Sequence, residues 1–139
     1  MVERITKADL KILLVDDSVD AVKLLKKFLS EQGFAETFAA PSGESAICTL
    51  KNKAYVPSLA IIDTEMSGGI SGVETLRRVR VLEGYLDLPI IGASSNEEYE
   101  KFWMREGADT FFCKSYLNYE NLGQIIQKVF ENRGIEICN

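Results

Sequence analysis

The chain of 139 residues is 46% hydrophobic, which suffices for one domain with its own core and leaves little for a second. Its formal net charge of −5 argues against general affinity for nucleic acids, because such binding depends on lysine and arginine neutralising phosphates. The sequence contains no histidine, which excludes Ser-His-Asp and Cys-His catalysis, histidine metal ligands and a phosphohistidine on this chain.

The apolar segments and the N-terminus indicate a cytoplasmic protein. No apolar run is long enough to span a bilayer, and residues 1–7 lack the apolar core of a signal peptide. Neither a membrane nor a nucleic acid is therefore expected as a direct partner. Cys48, Cys113 and Cys138 lie far apart without a CxxC pair, so we expect free thiols rather than a zinc site or a disulfide framework.

Strand and helix patterns alternate along the chain after a polar stretch, residues 1–9, that is expected to be a loose N-terminal arm. Apolar runs predict buried strands at residues 11–15, 37–40, 59–62, 89–93 and 110–113. Predicted helices follow residue 18, occupy residues 42–53, follow the Gly-rich loop 67–72, follow residues 94–96 and cover residues 122–130. Residues 134–139 are left as a C-terminal tail. Five successive βα units predict one parallel sheet with helices on both faces.

The stretch from Leu59 to Met66 is the centre of this pattern. Four apolar residues run without alternation into Asp63, which places a carboxylate where a buried strand leaves the core. Ligands of open parallel sheets bind beyond the carboxyl ends of the strands, so Asp63 is a candidate reactive group. An Asp here also fits the start of a turn or a cap of the next helix.

Further polar side chains follow the neighbouring predicted strands. Asp16 and Asp17 follow the first, Ser94 the fourth and Lys114 the fifth. All should converge with Asp63, because parallel strands in such a sheet end on one side. Three carboxylates in one pocket repel each other, and a hard divalent cation, Mg²⁺ above all, would neutralise them and attract a phosphoryl group. Taken alone, the acid pair and Ser94 could each cap the following helix, and Lys114 could be a solvated lysine at a strand end. Their occurrence together favours a phosphoryl site.

With these residues in place, the chain resembles the receiver domain of a two-component response regulator over nearly its whole length. The resemblance is carried by residues 12–18 (ILLVDDS), 61–66 (IIDTEM), 89–91 (PII) with Ser94, and 107–109 (GAD) followed by Phe111 and Lys114. It implies a flavodoxin-like (βα)5 fold, an α/β doubly wound parallel sheet of five strands in the order 2-1-3-4-5. The receiver domain would cover residues 10–133.

The resemblance also implies how the acids act. Asp63 would accept a phosphoryl group from the phosphohistidine of a sensor histidine kinase or a phosphotransfer protein. Asp17, Asp63 and the backbone carbonyl of Glu65 would bind Mg²⁺ directly, and Asp16 would bind it through water. The protein would then be a signalling switch rather than an enzyme, with chemistry limited to phosphoryl uptake and slow autodephosphorylation.

The remaining implied residues connect the site to a partner surface. Ser94 and Lys114 would contact the phosphoryl oxygens, and Phe111 would turn inward when Ser94 is drawn to the phosphate. The face made by the fourth helix, the fifth strand and the fifth helix would bind a downstream effector or a second copy of the chain. Phe102 and Trp103 are neighbours on that fourth helix, about 100° apart, so one of them is expected at the surface.

The chain departs from the usual receiver pattern at three positions. Ser67 stands where receivers usually have proline, and Ser115 replaces the proline that usually follows the strand-five lysine. Receivers also usually have glycine eight residues after the phosphoacceptor, whereas Gly72 lies one residue further from Asp63. That Lys-Pro bond is typically cis, but a cis bond before serine costs roughly 2.5–4 kcal/mol. The bond between Lys114 and Ser115 is therefore predicted to be trans.

Other interpretations of the sequence stay open. A pseudo-receiver that acts only as a protein interaction module would keep the fold, but it has no physical need for three clustered acids. A flavodoxin requires a first loop that cradles a phosphate, where this chain has two carboxylates. A haloacid-dehalogenase-type phosphatase requires a second Asp at the position of Glu65. We expect either a stand-alone receiver or the front part of a longer regulator.

Overall fold

The computed structural model describes residues 2–139, apart from the side chain of Tyr116. The strands are β1 (Glu3–Thr6), β2 (Ile12–Val15), β3 (Thr37–Ala40), β4 (Leu59–Asp63), β5 (Ile90–Ser94), β6 (Thr110–Cys113) and β7 (Ile135–Cys138). The helices are α1 (Val19–Glu31), α2 (Gly43–Lys51), α3 (Gly72–Val79), α4 (Glu100–Arg105), α5 (Tyr116–Glu120) and α6 (Leu122–Asn132), and a 3₁₀ turn (Glu97–Tyr99) precedes α4.

The main sheet is parallel and has the order β3-β2-β4-β5-β6. Counted over the five strands predicted from the sequence, this is the order 2-1-3-4-5, so the predicted flavodoxin-like α/β fold is confirmed. The central strand β4 pairs with β2 on one side and with β5 on the other. Its first four residues are all buried, because helices cover both faces of the sheet at this strand. The unbroken apolar run of these four residues reflects this burial on both faces.

Helices cover both faces of this sheet, because successive strand residues point to opposite sides. Ile12 and Leu14 belong to an apolar cluster with residues of α1 and α6, which we call the α1–α6 cluster. Leu13 and Val15 belong to a second cluster with residues of α2, α3 and α4, which we call the α2–α4 cluster. The two clusters cover the two faces of the sheet, and because its strands are parallel, the carboxyl ends of β2, β4, β5 and β6 lie along one edge.

The two ends of the chain pair with each other. β1 and β7 form a separate two-stranded parallel sheet, with Glu3 opposite Ile135 and Thr6 opposite Cys138. The expectation of a loose arm is therefore wrong for Glu3–Thr6, while Met1 lies outside the described residues. The physical reason is burial of apolar surface, because Ile5, Ile135 and Ile137 pack against the α1–α6 cluster.

The link from β6 to the last helix contains an additional short helix, α5, that was not predicted. No cis peptide bond occurs within residues 2–139, so the bond between Lys114 and Ser115 is trans, as predicted. The side-chain amide of Asn118 donates to the carbonyl of Cys113 at 2.9 Å and holds α5 against the end of β6. Within the described part of the chain, no helix combines the length and the apolar character that crossing a membrane requires.

Trp103 anchors α4 to the sheet. Its side chain is 0% exposed, whereas Phe102 is 55% exposed, so one of the pair lies at the surface as predicted. The indole N–H donates to the Thr64 hydroxyl at 2.8 Å, and that hydroxyl donates to the carbonyl of Ala93 at 2.7 Å. The indole also lies so close to Gly92 that a Cβ there would overlap the ring. Helix α4 is thus fixed to both β4 and β5.

Replacing Gly92 by Ala should destabilise the protein, because the new methyl group would overlap the indole of Trp103. Overpacking of this kind typically costs about 1–3 kcal/mol, which urea denaturation followed by circular dichroism would measure. In a Trp103→Leu background the smaller side chain leaves more room, so the cost of Gly92→Ala should fall. Equal costs in both backgrounds would show that Trp103 is not the obstacle.

Candidate functional site

Three carboxylates meet at the carboxyl ends of β2 and β4. Asp16 and Asp17 directly follow β2, and Asp63 is the last residue of β4. One carboxylate oxygen from each of the three lies within 4.8 Å of the others. Asp16 is buried, Asp63 is half-buried and Asp17 is exposed. The acids predicted to converge therefore do so, and their cluster opens to solvent on the side of Asp17.

Backbone hydrogen bonds orient the acid pair after β2. The N–H of Asp16 donates to the carbonyl of Ala40 at 3.1 Å, which continues the pairing of β2 with β3. A carboxylate oxygen of Asp16 accepts the N–H of Ser18 at 3.0 Å. Ser18 is the N-cap of α1, because its hydroxyl accepts the N–H of Ala21. Ser18 therefore caps α1, and the carboxylate of Asp17 binds Ser67 instead.

Lys114 reaches two of the acids from the end of β6. Its Nζ lies 2.5 Å from Oδ2 of Asp16 and 2.8 Å from Oδ1 of Asp63. Burial alone would lower the pKa of Lys114, but the hydrogen bonds to Asp16 and Asp63 and the negative charges of these acids together raise it. Lys114 therefore carries a full charge that offsets part of the repulsion between these acids.

Asp63 is held in a partly desolvated position. Burial raises the pKa of its carboxyl above the ordinary value and outweighs the opposing effect of Lys114, while the charge of Asp16 raises it further. A carboxylate whose charge is poorly solvated gains more from a nearby cation than an exposed one does. Asp63 therefore gains more from an added positive charge than the exposed Asp17 does.

Ser67 binds the third acid. Its backbone N–H and its hydroxyl both donate to Oδ2 of Asp17, each at 2.9 Å. These two hydrogen bonds, the backbone one first, lower the pKa of Asp17. The contact between Ser67 and Asp17 was not predicted. A hydroxyl residue in the loop after the central strand could have indicated it, because that loop lies at the same edge of the sheet as the acids.

Ser94, the last residue of β5, is buried beside this cluster. Its hydroxyl oxygen accepts the N–H of Asn96 at 3.0 Å, and Asn96 in turn caps the 3₁₀ turn by accepting the N–H of Glu98. The capping role considered for residues 94–96 is therefore present. The hydroxyl of Ser94 still has a proton to donate to a ligand, since it serves as acceptor in that bond.

Two further residues of the predicted set, Phe111 and Glu65, contact other parts of the protein. Phe111 on β6 is half-buried and packs against the α2–α4 cluster. The carboxylate of Glu65 accepts a hydrogen bond from the hydroxyl of Tyr99, and this bond raises the pKa of Tyr99. The pair bridges the loop after β4 to the turn before α4, and it was not predicted from the sequence.

The geometry of the three acids fits a small divalent cation. Mg²⁺ binds oxygen ligands at about 2.0–2.1 Å, so two ligands on opposite sides of the ion lie about 4 Å apart. Oxygens already within 4.8 Å of one another need only small side-chain shifts to reach this arrangement. The exposed side of the cluster leaves room for the water ligands that Mg²⁺ usually keeps.

Comparison with known proteins agrees with this geometry. The family model of the response regulator receiver domain matches residues 12–129. The chain belongs to the receiver domain family of response regulators. Among solved structures, the chain is similar to the response regulator TrrA from Thermotoga maritima in complex with Mg²⁺-BeF, with a TM-score of 0.73 and 32% sequence identity. The match covers 86% of this chain and 98% of the TrrA chain.

Two curated relatives show the range of proteins in which this domain occurs. The chemotaxis protein CheY-3 from Vibrio cholerae is 26% identical over 131 residues, which cover 93% of this chain and 98% of CheY-3. A protein-glutamate methylesterase/protein-glutamine glutaminase from Trichodesmium erythraeum is 40% identical over 82 residues, which cover 58% of this chain. The match spans only 22% of that relative's length.

Replacing Asp63 by Asn should stabilise the protein when divalent cations are absent. The raised pKa of Asp63 means that its charged form is less favourable in the folded state than in the unfolded state. The charge therefore lowers stability at neutral pH, and this loss disappears as the pH falls through the folded-state pKa, because the carboxyl is then neutral. Thermal unfolding in EDTA at pH 7 should show a midpoint a few degrees higher for the variant.

The control for this measurement is Asp9→Asn, which changes an exposed acid outside the cluster and should leave the midpoint unchanged. The advantage of Asp63→Asn should also shrink when the scan is repeated at lower pH. A lower midpoint for Asp63→Asn at pH 7 would mean that pairing with Lys114 outweighs the burial of the carboxylate.

Proposed function

We propose that this chain is a phosphorylatable signalling switch that takes up a phosphoryl group on Asp63, in a Mg²⁺-dependent reaction, from the phosphohistidine of a histidine kinase or phosphotransfer protein. The observation that carries the proposal is the setting of Asp63 at the end of the central strand. Lys114 lies 2.8 Å from one of its oxygens, and two more acids lie within 4.8 Å. An acceptor of a phosphoryl group needs both a nucleophilic oxygen and nearby positive charge.

The proposed reaction assigns a task to each residue of the site. When bound, Mg²⁺ supplies positive charge that offsets the repulsion between the acids and the incoming phosphoryl group. A carboxylate oxygen of Asp63 forms the new bond to phosphorus, and the P–N bond to the donor imidazole breaks with its electron pair leaving on the nitrogen. Lys114 and the hydroxyl of Ser94 donate hydrogen bonds to the phosphoryl oxygens.

The carboxylates of Asp16, Asp17 and Asp63 and the backbone carbonyl of Glu65 would hold the cation. Asp17 would be a direct ligand and Asp16 would act through water, which is supported by the engagement of both Asp16 oxygens, one by the N–H of Ser18 and the other by Lys114. The relative TrrA supports the proposal because its structure is a complex with Mg²⁺-BeF.

The proposed output is a change of the surface formed by α4, β6 and α6. Ser94 would move toward the phosphoryl group, and the half-buried Phe111 would turn inward in response. Phe102 and Met104 on α4 are 55% and 46% exposed, and Leu117 on α5, the short helix that connects β6 to α6, is 74% exposed. These side chains offer apolar area to a downstream effector or to a second copy of the chain.

Incubation with acetyl phosphate and Mg²⁺ should add one phosphoryl group to the protein, and Asp63→Asn should abolish the addition, because the amide is not a nucleophile for phosphorus. Intact mass spectrometry measures both. Asp9→Asn is the matched control and should be labelled like the wild type. EDTA should prevent labelling, because the acids would then repel the incoming group. Undiminished labelling of Asp63→Asn would refute the assignment.

The competing proposal is a protein interaction module that is never phosphorylated. Addition of beryllofluoride, a mimic of the phosphoryl group, separates the two in a heteronuclear NMR spectrum. A switch should show Mg²⁺-dependent shifts at Asp63, Ser94 and Lys114, whereas an interaction module should show none.

The lifetime of the phosphoryl group should depend on the side chains beside the attacking water, which we propose to be Glu65 and Asn96, two positions after Asp63 and Ser94. Tyr99→Phe should accelerate dephosphorylation at least about twofold, because a Glu65 carboxylate released from the tyrosine hydroxyl becomes available to the water as a base. A time course of intact mass after removal of the phosphodonor measures the rate.

Three further variants make that test specific. Glu65→Gln should slow the reaction, and adding Tyr99→Phe to Glu65→Gln should change nothing more. Tyr55→Phe removes a hydroxyl that donates to the carbonyl of Glu36 instead, so it is the matched control. Rates that stay equal in all variants would mean that Glu65 does not face the water.

A further inference from the structure

We propose that Ser67 is a positioning residue for the divalent cation, because it holds the exposed Asp17 in the orientation in which its carboxylate can bind. The inference rests on the cation site of the proposed function and adds a residue to it. Ser67 acts through Asp17 and is not itself a ligand.

Asp17 needs such support more than the other two acids do. Asp16 is buried and accepts hydrogen bonds from Ser18 and Lys114, and Asp63 is half-buried and bound by Lys114. Asp17 is exposed, and an exposed side chain loses conformational entropy when a ligand fixes it. A partner that fixes the carboxylate beforehand removes that loss from the binding free energy of the cation.

The geometry of the contact is suited to this task. Both donors of Ser67, the backbone N–H and the hydroxyl, bind the same oxygen, Oδ2, at 2.9 Å. A carboxylate has about four acceptor positions, so Oδ1 is left for the cation. Donors that bind a ligand from the side away from the metal orient it and commonly raise metal affinity tenfold or more.

The loop that carries Ser67 is itself held in place. The N–H of Ile70 donates to the carboxylate of Glu44 on α2 at 3.0 Å, and the N–H of Gly72 donates to the carbonyl of Thr64 at 2.9 Å. Gly68, the next residue, has a φ of +77°, a conformation that glycine adopts without strain. Ser67 therefore presents its donors from a fixed backbone rather than from a loose loop.

The identity of the residue matters because the two donors are separable. Alanine would keep the backbone N–H and lose the hydroxyl, whereas proline, the usual residue of receivers at this position, would lose both. Threonine would keep both. The three substitutions thus form a graded series that removes two, one or no hydrogen bonds from Asp17.

Isothermal titration of the full chain with Mg²⁺ tests the inference. The dissociation constant should rise roughly three- to tenfold in Ser67→Ala, rise further in Ser67→Pro and stay near the wild-type value in Ser67→Thr. Ser95→Ala removes the hydroxyl of another exposed serine, the residue after β5, and should bind Mg²⁺ like the wild type. Unfolding by urea in EDTA should show only a small loss of stability for Ser67→Ala, because Asp17 is exposed and water replaces the lost hydroxyl. A purely structural role would instead lower the cation-free stability clearly and leave the Mg²⁺ affinity of the folded protein unchanged.

The outcomes separate this inference from the proposed function. A wild-type protein that binds no Mg²⁺ overturns both. A wild-type protein that binds Mg²⁺ while Ser67→Ala binds it equally well overturns only the role of Ser67. Tighter binding by Ser67→Ala would show that Ser67 competes with the cation, which also overturns the inference. Phosphoryl uptake by Ser67→Ala should match the wild type once Mg²⁺ is saturating.

Discussion

The repulsion among Asp16, Asp17 and Asp63 is the constraint on which the rest of the site depends. Three carboxylates with oxygens within 4.8 Å are unfavourable unless donors or cations surround them. The donors come from two separate places, Lys114 at the end of β6 and Ser67 in the loop after β4. The strand order is what allows this, because it brings the ends of β2, β4 and β6 to one edge from positions far apart in the chain.

Helix α4 is joined to the surroundings of Asp63 by two links of opposite character. The buried one runs from Trp103 through Thr64 to Ala93 and resists displacement, because breaking it would leave polar groups unpaired in the core. The exposed one joins Tyr99 to Glu65, where water replaces a lost partner at little cost. A rearrangement at Asp63 can therefore release the start of α4 while its middle stays anchored.

The sequence predicted what local patterns encode and missed what only the folded chain creates. Unbroken apolar runs predicted the five strands of the main sheet, and polar residues at their ends predicted the acid cluster. β1 and β7 were missed because both contain charged residues and neither is an unbroken apolar run, and because the partner of each lies at the other end of the chain. Ser67 and Tyr99 were missed for a related reason, since their partners lie 50 and 34 residues away.

At the opposite edge of the sheet, by contrast, a half-buried acid is paired with an arginine. There, Arg133 donates to both carboxylate oxygens of Asp109, at 2.6 and 3.0 Å, and to the carbonyl of Asp87 at 2.8 Å. Asp109 in turn accepts the N–H of Ile90 at the start of β5. Fork-shaped pairs of this kind satisfy both partners without a ligand. Asp109 at the amino ends of the strands is thus neutralised within the protein, whereas at the carboxyl ends three acids share one lysine, and the proposed cation would supply the remaining compensation.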